Sequence, residues 1–180
     1  MRVTKKNSVG LIVDIQERLF PVMWESKRLL KNCTILIKGL TTLGIPLVVT
    51  QQYTKGLGRT ISEIQSILPN GDYFEKREFS CCDQPDIIDK LNEIKAENII
   101  ICGIEAHICV QQTATGLKDA GFIPIVVMDS VSSRKPESVE LAKERFRFEN
   151  IMMTSAESIL FELTRSSALP EFKIISSLVK

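Results

Sequence analysis

The sequence predicts an α/β protein: a three-layer α/β/α sandwich around a mostly parallel, doubly wound sheet. Two observations carry this expectation. Short apolar runs rich in β-branched residues recur along the chain, the pattern of strands buried on both faces. Segments with helical spacing lie between them, and such alternation implies parallel strands joined by right-handed crossovers with helices on both faces.

The expected strands are the runs 9–14, 46–50, 98–102, 123–128 and 151–154. Helical spacing falls at roughly 26–43, 84–96, 109–120, 136–148 and 156–164. Gly44 and Gly121 each stand between a helical segment and the next strand, where a C-terminal cap is expected. Thr154-Ser-Ala-Glu157 resembles a capping box opening the last of these helices. The stretch 51–82 breaks the rhythm: Gln51 to Thr60 reads as a polar, Gly-containing loop and 68–71 as a turn. Long irregular insertions of this kind are often functional. The tail from Ser166 to Lys180 gives no assignment.

A chain of 180 residues that is 44% hydrophobic buries one good core, so one domain spanning 1–180 is expected. Lys and Arg number 23 against 22 Asp and Glu, with no basic stripe, which speaks against a nucleic-acid partner. The basic N-terminus is followed by an apolar stretch that breaks at Asp14, so neither a secretory signal nor a membrane span is expected. Five cysteines with no CxxC pair fit a reducing compartment, and a cytoplasmic protein is the expected reading. With His107 the single histidine, a zinc site built from several imidazoles is excluded, and acid–base work falls to a carboxylate or a lysine.

In a doubly wound sheet the active crevice lies at the carboxyl ends of the strands. Cys109 stands where the strand 98–102 gives way to a helix, a position at which unpaired N–H groups and the helix dipole favour thiol ionisation. That makes it the best nucleophile candidate, although burial as a small apolar residue is the plainer alternative. Asp14 ends the first strand, and Asp14-Ile-Gln-Glu17 equally matches a helix cap. Lys76, in Phe74-Glu-Lys-Arg-Glu-Phe79, reads locally as a solvated charge. Phe20 and Trp24 could wall a pocket near Asp14 or pack into the core, and Tyr53 is similarly ambiguous.

In combination these segments say more. The order Leu11-Ile-Val-Asp-Ile-Gln16, then Lys76 with Phe79-Ser80, then Gly103-Ile-Glu-Ala-His-Ile-Cys-Val110, resembles the isochorismatase-like cysteine hydrolase family from about residue 8 to about residue 163. The resemblance includes Thr50 to Gly58 and Ser155 to Leu163. It implies a catalytic Asp14, Lys76 and Cys109, with Cys109 attacking a carbonyl carbon, Asp14 relaying the proton, and Lys76 holding Asp14 and stabilising the thiolate. It further implies a cis peptide bond between Ile104 and Glu105 and an oxyanion hole from the backbone N–H groups of Glu105 and Cys109. Gln16, Phe20, Gln51, Tyr53 and His107 are candidate pocket residues, with Glu105 and His107 alternatively serving as local hydrogen-bonding groups.

Two departures shape the expected chemistry. Members that cleave the vinyl ether of isochorismate usually lack the cysteine, and this chain keeps it. The nicotinamidase branch takes a metal on an Asp-x-His pair and a further His in the region matching 50–58, and this region holds neither residue type. A metal-independent, cofactor-free hydrolase of a small amide-like substrate is therefore expected, with homo-oligomerisation implied by the resemblance. The alternative is a catalytically weak scaffold acting through protein partners.

Overall fold

The computed structural model describes residues 2–69 and 73–180, so the turn expected at 68–71 ends outside the described residues. Six strands form one parallel sheet: β1 (Ser8–Val13), β2 (Leu47–Gln52), β3 (Tyr73–Lys76), β4 (Asn98–Ile104), β5 (Ile123–Ser132) and β6 (Met152–Thr154). Their order is β3-β2-β1-β4-β5-β6, so the chain first builds outward in one direction from β1 and then returns to build outward from its other side. The crevice expected at such a reversal lies beyond the ends of β1 and β4.

The helices are α1 (Ser26–Thr42), α2 (Thr54–Leu57), α3 (Ser62–Gln65), α4 (Pro85–Glu93), α5 (Gln111–Asp119), α6 (Pro136–Phe148), α7 (Ala156–Thr164) and α8 (Phe172–Leu178). Alternate pleats explain the continuous apolar runs. In β4, Ile100, Cys102 and Ile104 join the cluster formed with α1, α7 and α8, whereas Ile99 and Ile101 join the one formed with α4, α5 and α6. Each face of the sheet thus has its own apolar layer, and both must be covered for the strands to leave water.

Several expectations are corrected. The stretch 51–82 is not a long loop: it finishes β2, carries α2 and α3, and supplies the sixth strand, β3, at the edge of the sheet. The cap of α7 is Ser155, whose Oγ accepts the Ser158 N–H at 3.2 Å, one residue later than the sequence pattern suggests. Residues 172–178 form a helix because Ile175 is fully buried against the α1 side of the sheet. Gly44 and Gly121 do follow the helix ends with φ of 70° and 88°, as the cap pattern requires.

Gly103 lies where β1 and β4 leave no room for a side chain. It pairs with Val13 across β1 and β4 at φ 122°, and a β-carbon there would lie 2.0 Å from the Val13 carbonyl oxygen. The two strands that flank the crevice can approach only if this residue has no side chain. Gly103→Ala should therefore cost about 3 kcal/mol or more, read as a lowered urea midpoint; a loss below about 1 kcal/mol would contradict this packing.

Candidate active site

The carboxyl ends of β1, β2 and β3 bring Asp14, Thr50, Gln52 and Lys76 together. Asp14 is the first residue past β1 and takes φ 52°, a left-handed conformation that Asp tolerates better than most residues. Its carboxylate does not cap a helix. Lys76 Nζ donates to Asp14 Oδ2 at 2.6 Å, and Thr50 Oγ1 donates to Asp14 Oδ1 at 2.8 Å. The Lys76 ammonium also donates to Gln52 Oε1 at 2.8 Å and to the carbonyls of Glu78 and Phe79, both at 3.2 Å. Three N–H donors face four oxygens, so the ammonium is fully committed.

Lys76 is only 1% exposed, opposite to its local reading as a solvated charge. Burial pushes its pKa down, but the negative charge of Asp14, aided by the sulfurs of Cys81 and Cys109, more than offsets this, and the net shift is upward. The lysine stays protonated at neutral pH.

Cys109 lies within a π-helical turn, Ala106–Val110, that runs straight into α5. The Val110 N–H bonds back to the Glu105 carbonyl at 3.2 Å, five residues apart, which gives the turn its wide pitch. The thiol is 7% exposed. Burial first, then the charge of Asp14, raises its pKa to about 12, with the Lys76 ammonium pulling in the other direction. This reverses the expectation that the helix start eases ionisation: the helical turn begins at Ala106, upstream of the thiol, and desolvation beside a carboxylate outweighs the helix end. The resting sulfur is a thiol.

The peptide bond between Ile104 and Glu105 is cis. The Glu105 side chain engages Arg134, its Oε2 accepting from the Arg134 backbone N–H and from Arg134 Nε, each at 3.1 Å. His107 Nδ1 lies 2.9 Å from Ser133 Oγ. Both therefore engage the segment after β5, with Arg134, Lys135 and Ser138 joining His107 around a cavity of about 270 Å³.

The remaining pocket candidates divide. Gln16 is fully buried as a structural clamp: its Nε2 donates to the Gln52 and Gly58 carbonyls at 2.9 and 2.7 Å, and its Oε1 accepts the Gln52 N–H at 2.7 Å. Phe20 packs against the α1-side core and borders a separate cavity with Glu17 and Ile61. Tyr53 carries the Arg77 guanidinium stacked 4.0 Å above its ring. Gln51 pairs with Glu75 on the pleat alternate to Thr50 and Gln52, so it is not the residue that meets Lys76. Gln52 is, and both it and Thr50 escaped the sequence reading. Continuing the β2 alternation two residues past Thr50 would have found Gln52.

Cys81 lies under the same site, its Sγ 3.9 Å from Thr50 Oγ1 and its N–H bonded to Thr113 Oγ1 at 2.9 Å. All five cysteines are free. Among the described residues, no group of three or more His, Cys, Asp or Glu side chains is arranged to hold a metal ion. A surface cavity of about 830 Å³ lies along β3 and α4 with Glu75, Asp86 and Asp89 on its wall, and none of Asp14, Lys76 and Cys109 lines it.

Lys76 and Asp14 thus form a buried ion pair at the strand ends, near enough to Cys109 for both charges to act on its thiol. Residues 8–158 match the isochorismatase domain model, and the chain belongs to the isochorismatase family of hydrolases. It is 35% identical to the secreted isochorismatase effector Isc1 of Phytophthora sojae, over 99% of this chain and 87% of that protein. It is 31% identical to isochorismatase domain-containing protein 2 of Danio rerio, over 99% of this chain and 89% of that one. Among solved structures, the MAR1 ribonuclease from Caenorhabditis elegans superimposes with a TM-score of 0.93 at 33% identity, covering 99% of this chain and 92% of that one.

The ion pair sets a stability test. Lys76→Met leaves the Asp14 carboxylate buried without its counter-charge, and removal of one partner from a buried pair costs about 3–5 kcal/mol. Adding Asp14→Asn should return more than half of that loss, because it removes the stranded charge. Urea unfolding of the two single variants and the double variant checks both statements.

Proposed function

We propose that the protein is a metal-independent cysteine hydrolase that cleaves the amide-like C–N bond of a small molecule through a thioester at Cys109. One observation carries this reading: the Asp14 carboxylate, fixed by Lys76 and Thr50, is the strongest acceptor beside a thiol that stays protonated at rest. Each Asp14 oxygen keeps a further lone pair after binding its donor, so the carboxylate retains capacity to take the thiol proton.

The cycle follows. Asp14 takes the Cys109 proton as sulfur attacks the carbonyl carbon, and the resulting oxyanion is held by the N–H groups of Glu105 and Cys109. The C–N bond breaks, Asp14 returns the proton to the departing amine, and the acyl group remains on sulfur. Water then attacks the thioester with Asp14 again as base, releasing a carboxylic acid and restoring the thiol. Lys76 keeps Asp14 oriented and balances its charge throughout. Near-complete exclusion of water from the pair strengthens these interactions.

Ammonia or amine release from a panel of small amides tests the proposal: Cys109→Ala should lose at least about a thousandfold in kcat/KM, and unchanged activity would remove the sulfur from the mechanism. A second outcome separates base from bystander. Asp14→Asn removes the negative neighbour that raises the thiol pKa, so iodoacetamide should label Cys109 faster in this variant while turnover is lost. In the unaltered protein, a pKa of about 12 means that labelling rises about tenfold per pH unit across the neutral range. A plateau near neutral pH, read on the Cys109 peptide by mass spectrometry, would indicate a preformed thiolate and overturn the proton-relay role of Asp14.

A second reading, ribonuclease action, draws on the name of the Caenorhabditis elegans structure and is opposed by the near-neutral charge, +1 at pH 7. Incubation of RNA with the protein and with Cys109→Ala across a salt series distinguishes it. Assembly into homo-oligomers is supported by Leu141 and Phe148, exposed on one face of α6 at 68% and 80%. The free thiols support a reducing compartment such as the cytoplasm, and among the described residues no helix is long and apolar enough to cross a membrane.

A further inference from the structure

We infer that Thr113 is a positioning residue of the site: its hydroxyl fastens the turn that holds the Lys76 ammonium to the helical run that carries Cys109. This inference rests on the role proposed for Cys109 and names the residue that sets the lysine's place relative to the sulfur.

The hydrogen bonds run in sequence. Lys76 Nζ donates to the carbonyls of Glu78 and Phe79, and the chain then passes through Ser80 into a tight helical turn, Cys81–Asp83. The peptide unit directly after the Phe79 carbonyl ends in the Cys81 N–H, which donates to Thr113 Oγ1 at 2.9 Å. Cys82 Sγ lies 3.6 Å from the Thr113 carbonyl, and the Cys82 N–H donates to Ser80 Oγ at 3.1 Å, closing the turn on itself. A second branch leads to the carboxylate: Cys81 Sγ lies 3.9 Å from Thr50 Oγ1, which donates to Asp14 Oδ1.

The seat of the turn is the helix itself. Thr113 stands four residues past Cys109, about one helical turn along the same face. Gly116 continues that face, and a β-carbon there would lie 3.0 Å from both Cβ and Sγ of Cys82 and 3.3 Å from Ser80 Oγ. Residues 80–82 therefore rest against the backbone of α5, so the two carbonyls on Lys76 take their position from the nucleophile's helix as well as from β3.

Thr113 and Cys81 are both buried. Valine at 113 would keep the shape but leave the Cys81 N–H without its acceptor, and a buried unpaired N–H is unfavourable enough to shift the turn toward another partner. The Phe79 carbonyl moves with it, and Lys76 follows. Burial and then Asp14 raise the Cys109 pKa, and the ammonium opposes them, so withdrawal of Lys76 makes the sulfur harder to ionise.

The test reads iodoacetamide labelling of the Cys109 peptide by mass spectrometry, on variants whose circular dichroism matches the unaltered protein. Thr113→Val should slow labelling about threefold or more, whereas Thr113→Ser, which keeps the acceptor, should stay within about twofold. In a protein already carrying Asp14→Asn and Lys76→Met, Thr113→Val should change the rate by less than about 1.5-fold, because no ammonium remains to be displaced. Gly116→Ala presses on the same turn without removing its hydrogen bond and should also slow labelling only while Lys76 is present, so it decides the matter if Thr113→Val does not fold. An unchanged rate in Thr113→Val, or slowing of the same size without Lys76, overturns the positioning role and leaves Thr113 as packing. Labelling needs no turnover: loss of the positioning role leaves amide hydrolysis by Cys109 standing, and absence of hydrolysis leaves the dependence of the thiol on Thr113 standing.

Discussion

Lys76 and Asp14 form an ion pair with both side chains withdrawn from water, and most of what is unusual about this molecule follows from that placement. Taking two charges out of water costs several kcal/mol per ion, and the cost is recovered only if the geometry is good and the other donors and acceptors are satisfied. The surrounding residues are what that requirement looks like in practice. Gln52 and two main-chain carbonyls occupy the rest of the ammonium, and Thr50 occupies the far oxygen of the carboxylate. Polar residues at the ends of otherwise apolar strands are thus explained by one charge pair. The pair also ties three neighbouring strands together: β3 is only four residues long and has a partner on one side alone, and its last residue bonds to the end of β2 and to the residue after β1.

The same pair sets the character of the neighbouring sulfur. In many cysteine enzymes an imidazolium or a helix end holds a standing thiolate. Here the closest charge that matters most is negative, the site is dry, and the thiol is correspondingly weak as an acid. In the cycle proposed above, reactivity depends on moving a proton to the carboxylate at the moment of attack. A protonated thiol is quiet toward stray electrophiles and oxidants, since these react with thiolates. Cys82, partly exposed and with its own pKa raised only to about 11, is the more vulnerable thiol of the neighbourhood although it does not touch the acid–lysine pair.

Much of this was readable in the chain, and the exceptions share a cause. Long, β-branched runs such as Ile99 to Ile101 announce buried strands because each face of the sheet must be apolar. Asp14 and Cys109 stand at the ends of such runs, so their location at one edge of the sheet follows from topology alone. β3 did not announce itself, because Tyr73-Phe-Glu-Lys76 is short, lies at the sheet edge and has alternating exposure, so its apolar signal is weak. The burial of Lys76 is a tertiary fact: in its local sequence it is one charge among several, and only its pairing across β2 reveals it. Gln52 was hidden by the same missing strand, and Arg134 by lying in a polar connection after β5. The family resemblance located the Lys76 position where local chemistry did not.

Gln16 extends the hydrogen bonding of the sheet beyond the end of β1. A primary amide can donate and accept in the same plane, as a peptide unit does, and Gln16 uses both functions on Gln52, exchanging bonds with its N–H and its carbonyl. The side chain thus adds one more rung to the sheet after β1 has already turned away, and its third bond, to Gly58, reaches the loop that follows β2. The Gly58 bond is made by an uncharged amide, whereas Arg18, Glu75 and Glu17 add charged contacts to Gly56, Thr54 and Arg59 of the same segment. One neutral side chain thus couples the end of β1, the end of β2 and the following loop into a single hydrogen-bonded unit beside the ion pair.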